Sequence, residues 1–161
     1  GTTVRIHLPL ARDDQPIAEL TPPPSVLRGG KEYILLVEDE EGLRRVAQRA
    51  LEKVGYRVVT APDGLEALEL YHRHADEIDL IITDVVMPKL GGIALFRTLR
   101  SEGFTVRFLF TSGYSAHEIA QGELPDGELS LLQKPWTLAD LTHRVRDVLD
   151  RGKESLKGEA R

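Results

Sequence analysis

Residues 79–84 read Asp-Leu-Ile-Ile-Thr-Asp, a short apolar run with no polar alternation. A strand of this kind has no face to show to water, so it belongs inside a sheet covered on both sides, as parallel sheets are. The flanking sequence supplies the cover. Between residues 31 and 150 apolar residues recur with a strand period and a helix period in turn, five times over. Tyr33–Glu38 is an apolar run, and Glu40–Val54 follows with Leu43, Val46, Ala47, Ala50, Leu51 and Val54 on one helical face. Gly55 stands where a helix end favours a left-handed residue. Tyr56–Thr60 reads as a strand, Pro62–Ala75 as a helix carrying Leu65, Leu68 and Tyr71, Asp79–Asp84 as the third strand and Gly91–Ser101 as a helix carrying Leu95, Phe96 and Leu99. The strand Val106–Thr111, a weakly patterned helix at Ser115–Gly122, the strand Glu128–Leu132 and the helix Thr137–Asp150 complete the series. That last helix turns Leu138, Leu141, Val145, Val148 and Leu149 inward, with Thr137 as its N-cap. The alternation predicts an α/β fold, a doubly wound five-stranded parallel sheet with helices on both faces and right-handed crossovers.

Composition divides the 161 residues further. Residues 1–10 alternate Val4, Ile6, Leu8 and Leu10 with polar or small neighbours, the pattern of a half-buried strand. Residues 11–30 hold Pro16, Pro22, Pro23, Pro24, Gly29 and Gly30 and read as a semi-rigid linker. Residues 31–150 are the domain, and the polar residues 151–161 are expected to fray. The 21 Lys and Arg against 26 Asp and Glu give a net charge of -5, which lacks the basic footprint of a nucleic-acid-binding surface. Cysteine is absent, so disulfides, thiolate metal sites and cysteine nucleophiles are excluded. The longest apolar runs are about five residues, far below the roughly 20 that span a bilayer, and no basic stretch leads into an apolar one at the start. These features predict a cytoplasmic piece that makes no membrane contact. Its start at Gly1 suggests a fragment of a longer protein.

Ligands of open parallel sheets bind at the carboxyl ends of the strands. There the first strand ends in Glu38 and Asp39, the third in Asp84, the fourth in Thr111 and Ser112, and the fifth in Lys134. Three carboxylates brought together repel one another, and burial would raise at least one pKa. A hard divalent cation removes the conflict: Mg²⁺ takes oxygen ligands, using one or two carboxylates together with phosphate oxygens. Carboxylates also serve as nucleophiles that form acyl-phosphates, and phosphoryl transfer needs chiefly positioning and charge neutralisation. The set reads as a site that places a phosphoryl group on an aspartate.

The segments LLVEDE (35–40), IITDVVMPKLGG (81–92), FLFTSGY (108–114) and LLQKPW (131–136), in that order, resemble the receiver domain of two-component response regulators over residues 31–150. The resemblance implies a flavodoxin-like strand order of 2-1-3-4-5. It implies that Asp84 accepts the phosphoryl group and that Mg²⁺ is held by Asp39, by Glu38 through water, by Asp84 and by the backbone carbonyl of Val86. Ser112 would bond the phosphoryl oxygens, Lys134 would pair with the phosphate, and the Lys134–Pro135 bond would be cis. The donor would be a histidine kinase or a histidine phosphotransfer domain. Residues 1–10, GTTVRIHLPL, resemble the last strand of a histidine-kinase ATP-binding domain. With the linker and the receiver, they suggest the C-terminal end of a hybrid sensor histidine kinase.

Two positions depart from the family pattern. Leu131 stands where the family has its switch aromatic, and Val86, two residues after Asp84, has no side chain able to orient water. With Tyr114 near the same end, the expectation is a slowly decaying phospho-Asp84. Two other readings stay open: a phosphohydrolase working through an aspartyl-phosphate, which typically needs an acid at the place of Val86, and an inert interaction module. No output domain follows residue 150, so the switched target is expected to be a separate protein or the parent kinase. Oligomeric state is not written in these residues. His72, His74, His117 and His143 lack metal-ligand spacing, and no phosphate-binding GxxxxGK loop is present. Arg44, Arg45 and Arg49 read equally as a solvated helix face or as a docking face for a helical bundle carrying phosphohistidine.

Overall fold

A computed structural model describes Thr3, residues 29–113 and residues 130–158. The strand expected at residues 1–10, most of the linker, Tyr114 and the helix expected at Ser115–Gly122 lie outside the described residues. Five strands, β1 (Tyr33–Val37), β2 (Arg57–Ala61), β3 (Ile78–Asp84), β4 (Arg107–Ser112) and β5 (Leu131–Gln133), form one sheet in the order β2-β1-β3-β4-β5. Every pairing is parallel. Helices α1 (Glu41–Lys53), α2 (Gly64–Arg73), α3 (Gly92–Ser101) and α4 (Leu138–Gly158) connect and flank the strands.

Side chains alternate across the central strands, and each face finds its own cover. Leu35, Val37, Ile81, Phe108 and Phe110 pack with Ala67, Tyr71, Leu95, Phe96 and Leu99 of α2 and α3. Ile34, Leu36, Leu80, Ile82 and Leu109 pack with Ala47 and Leu51 of α1 and with Leu141, Val145, Val148 and Leu149 of α4. Leu80, Ile81 and Ile82 are all buried, so β3 faces core on both sides, as its unbroken apolar run requires.

Local chemistry sets the helix ends. Asp63 caps α2, its Oδ1 accepting from the amides of Leu65 (3.0 Å) and Glu66 (3.1 Å). Thr137 caps α4 in a reciprocal box: the Asp140 amide donates to Thr137 Oγ1 at 3.2 Å, and the Thr137 amide donates to Asp140 Oδ2 at 2.8 Å. Gly55, with φ of 100°, adopts the left-handed turn after α1.

Three apolar residues expected inside are exposed: Val46 at 50%, Leu65 at 49% and Leu138 at 45%. In α1 the fully buried residues are Ala47 and Leu51, and Val46 lies off that line. In α2 the buried stripe runs through Gly64, Ala67 and Tyr71, one position ahead of Leu65. Leu138 sits one turn before Leu141, the first buried residue of α4. The final helix also continues past Asp150, where the sequence pattern ended it, to Gly158; Arg151, Lys153, Glu154, Leu156 and Lys157 are all good helix formers.

Candidate functional site at the carboxyl edge of the sheet

The parallel register brings the strand ends together. Asp84, the last residue of β3, lies opposite Thr111 of β4, and Ser112 lies opposite Gln133 of β5. Lys134 follows β5 directly and is tied back by its amide, which donates to the Ser112 carbonyl at 2.7 Å. The Lys134–Pro135 bond is cis. At the end of β1, Glu38 is buried and Asp39 exposed, and ligand oxygens of Glu38, Asp39 and Asp84 lie within 4.8 Å of one another. Lys134 Nζ reaches into this group, donating to Asp84 Oδ2 at 2.6 Å and to Glu38 Oε2 at 3.1 Å.

Electrostatics follow from the packing. Burial pushes the Glu38 carboxyl above the usual range; the hydrogen bond and charge of Lys134 pull it down, and the charge of Asp84 pushes it up again. For Lys134 burial alone favours the neutral amine, yet the bonds to Asp84 and Glu38 outweigh it and hold the ammonium above its ordinary value. One ammonium therefore faces three carboxylates, a surplus of negative charge in a partly buried place. The donors are all oxygens, the set that a hard divalent cation accepts.

Sequence reasoning brought Glu38, Asp39, Asp84, Ser112 and Lys134 to one edge, and the structure gathers them there. Ser112 is buried, at the end of β4. The Val86 amide donates to Asp84 Oδ1 at 3.2 Å, while its side chain points into solvent with 64% exposure. Leu131 is half-buried, packed against the α2–α3 core and paired with Phe110. Arg44 and Arg45 of α1 do not act alike. Arg45 pairs with Glu41 on the surface, whereas Arg44 folds back so that its Nη1 donates to the carbonyls of Glu38 (2.5 Å) and Asp39 (3.3 Å). Its place one turn into the helix after an acidic pair was the available signal. His72 bonds the exposed Glu102 at 2.7 Å and His74 the exposed Glu77 at 3.4 Å, as surface histidines do.

Comparison with known proteins agrees with this geometry. The family model described as the response regulator receiver domain matches residues 34–146. The sensor kinase CckA of Brucella abortus is 36% identical over 158 residues, covering 94% of this chain and 17% of that protein. The response regulator MprA of Mycobacterium leprae is 40% identical, covering 74% of this chain and 52% of that one. This chain thus spans about a sixth of the first relative and about half of the second. Among solved structures, the receiver domain from the hybrid histidine kinase CckA is 38% identical with a TM-score of 0.62, covering 73% of this chain and 98% of that one. A receiver domain protein from Clostridium thermocellum is 28% identical with a TM-score of 0.68, covering 76% of this chain and 97% of that one. With a family model running from the first strand into the last helix and solved receivers matching nearly end to end, the chain belongs to the response regulator receiver domain family of two-component systems.

Proposed function

We propose that this domain takes a phosphoryl group from a phosphohistidine, on a histidine kinase or a histidine phosphotransfer domain, onto the carboxylate of Asp84. An Asp84 oxygen attacks phosphorus, the phosphorus–nitrogen bond breaks, and the departing imidazole nitrogen takes up a proton. The observation that carries the reading is the Lys134 ammonium set 2.6 Å from Asp84 Oδ2 and 3.1 Å from Glu38 Oε2, inside a cluster of three carboxylates. Lys134 is placed to pair with the oxygens of a phosphoryl group on Asp84, and Ser112 stands at the neighbouring strand end to donate to them. Glu38, Asp39, Asp84 and the Val86 carbonyl would hold Mg²⁺, which when bound neutralises carboxylate and phosphoryl charge. Phosphorylation adds charge where Ser112 and Lys134 respond to it, and a two-state equilibrium shifts accordingly.

The parent protein we infer to be a cytoplasmic hybrid histidine kinase, with this receiver acting on the kinase itself or on a partner protein. An alignment with the Brucella sensor kinase that covers 94% of the chain must reach well upstream of residue 34, where the family match begins. Among the described residues no helix is long and apolar enough to cross a membrane.

Incubation with acetyl phosphate and Mg²⁺ tests the reading. Stoichiometric labelling that disappears in Asp84→Asn is the expected result. Continuous phosphate release would instead indicate a phosphohydrolase, against which the apolar Val86 speaks, and absence of label would indicate an inert module.

A further inference from the structure

The loop between Asp84 and α3 is held at both ends. At the near end the Val86 amide donates to Asp84 Oδ1 at 3.2 Å, and the Gly92 amide closes the turn on the Val85 carbonyl at 3.2 Å. At the far end the loop rests on the start of α2. The Gly64 amide donates to the Leu90 carbonyl at 3.1 Å, so closely that a Cβ on Gly64 would lie 2.3 Å from that oxygen. Beside it, Lys89 Nζ meets Asp63 Oδ2 at 2.5 Å. The two partners differ in kind. The Asp63 side chain is only 5% exposed and spends its other oxygen on the α2 cap, whereas the Lys89 side chain is 62% exposed. Lys89 is also the one described non-glycine residue with positive φ, at 64°, a conformation that side chains with a Cβ adopt rarely. A long cation on a left-handed loop residue has been brought back onto a buried, already bonded carboxylate.

We propose that Lys89 and Asp63 form a clamp that positions the Asp84 loop, so that the Val86 amide and carbonyl face the carboxylate cluster before any metal or phosphodonor arrives. Lys89 touches neither Asp84 nor the other carboxylates of the cluster through any hydrogen bond or ion pair in the structure; it acts through the loop. The clamp rests on the reading of Asp84 as the phosphoryl acceptor and deepens it. Partners that orient the groups around a metal commonly change its affinity by tenfold or more when removed. A clamp of this kind changes how much Mg²⁺ the site needs and leaves the chemistry at saturation intact.

The test uses the whole chain as wild type, Lys89→Met, Lys89→Gly and Lys89→Arg. Each is labelled with acetyl phosphate across a Mg²⁺ series, and amide hydrogen exchange at residues 85–91 is followed without metal. In Lys89→Met and Lys89→Gly the Mg²⁺ concentration for half-maximal labelling rises about tenfold, the maximal rate is kept, and the loop amides exchange faster. Lys89→Arg restores both readouts. Unchanged Mg²⁺ demand and exchange in Lys89→Met would overturn the clamp. So would a Lys89→Gly protein that matches wild type, since backbone shape alone would then set the loop. If the wild type takes no label, the acceptor reading fails on its own, and the exchange comparison still decides the clamp.

Discussion

The guanidinium of Arg44 bonds two carbonyls of the acidic turn and, among the described residues, no carboxylate, which is why it went unread in the sequence. A run of arginines on a helix next to acids suggests charge pairing or solvation; that one of them steadies the turn through its backbone depends on how the chain doubles back. Glu38, Asp39, Asp84 and Lys134 were legible because each follows directly on an apolar strand, and parallel strands deliver their ends to one edge. Arg44→Leu is predicted to cost about 1 kcal/mol in urea unfolding, the usual worth of such hydrogen bonds, and to raise the Mg²⁺ requirement for labelling. An Arg44→Leu protein with unaltered Mg²⁺ dependence would show the turn to be self-supporting. At Val86 the expectation concerns lifetime. Its side chain is exposed beside Asp84 and has nothing to align a water molecule. Val86→Asn adds an amide at that spot and is predicted to speed acyl-phosphate loss roughly tenfold, the scale of modest gains in positioning. The chase of labelled protein after donor removal measures it, and an equal half-life in both proteins would refute it.

Helix starts divide into those written in the sequence and those not. Thr137 was readable as a cap and proves to be one, with Asp140 completing the box. Asp63 was absorbed into a helix expected from Pro62, two residues early, although it is the cap of a helix that starts at Gly64; Leu65 was likewise placed inside, one position off the buried stripe. The cap has a pH consequence. Lys89 holds the Asp63 carboxyl below the usual range, and the amides of Glu66 and Leu65 add to this. A carboxyl whose pKa is depressed by folding contributes stability above its unfolded pKa and loses it as pH falls through the folded one. Asp63→Asn keeps an acceptor for the amides and gives up the charge. Its deficit against wild type in urea unfolding is therefore present at neutral pH and shrinks below about pH 4; a deficit that stays constant down to pH 3 would contradict the assignment. Gly92 marks a third kind of start. A Cβ there would lie 2.3 Å from the Asp84 carbonyl oxygen and 2.8 Å from the Thr83 side chain. Gly92→Ala must push α3 away from the end of β3, at a cost of about 1–3 kcal/mol in stability and with slower labelling of Asp84. Stability and labelling rate equal to wild type would show that the helix start yields without strain.

At the scale of the whole molecule, two apolar layers clamp a sheet whose carboxyl edge carries surplus negative charge, and the two are linked through folding. That the sheet is covered on both faces could be read from β3 alone; the order of its strands could not be read from hydrophobic period and entered only with the resemblance to receivers, because order depends on crossovers that leave no local mark. The linkage makes a prediction that does not depend on catalysis. Bringing Asp84 up to the Glu38–Asp39 pair costs free energy in the folded state and nothing in the unfolded chain, where Asp84 lies far along the sequence from that pair. A cation bound only by the folded cluster stabilises the whole domain by about 2.7 kcal/mol at a hundred times its dissociation constant, which for a domain of this size raises the thermal midpoint by roughly 10 °C. Mg²⁺ should produce that rise, chelation should reverse it, and sodium chloride at equal ionic strength should not reproduce it, since screening acts on all surface charges alike. Asp39→Ala should abolish the Mg²⁺-specific part and, by relieving repulsion, raise the midpoint of the metal-free protein. A Mg²⁺ shift that survives in Asp39→Ala would place the cation elsewhere on the molecule.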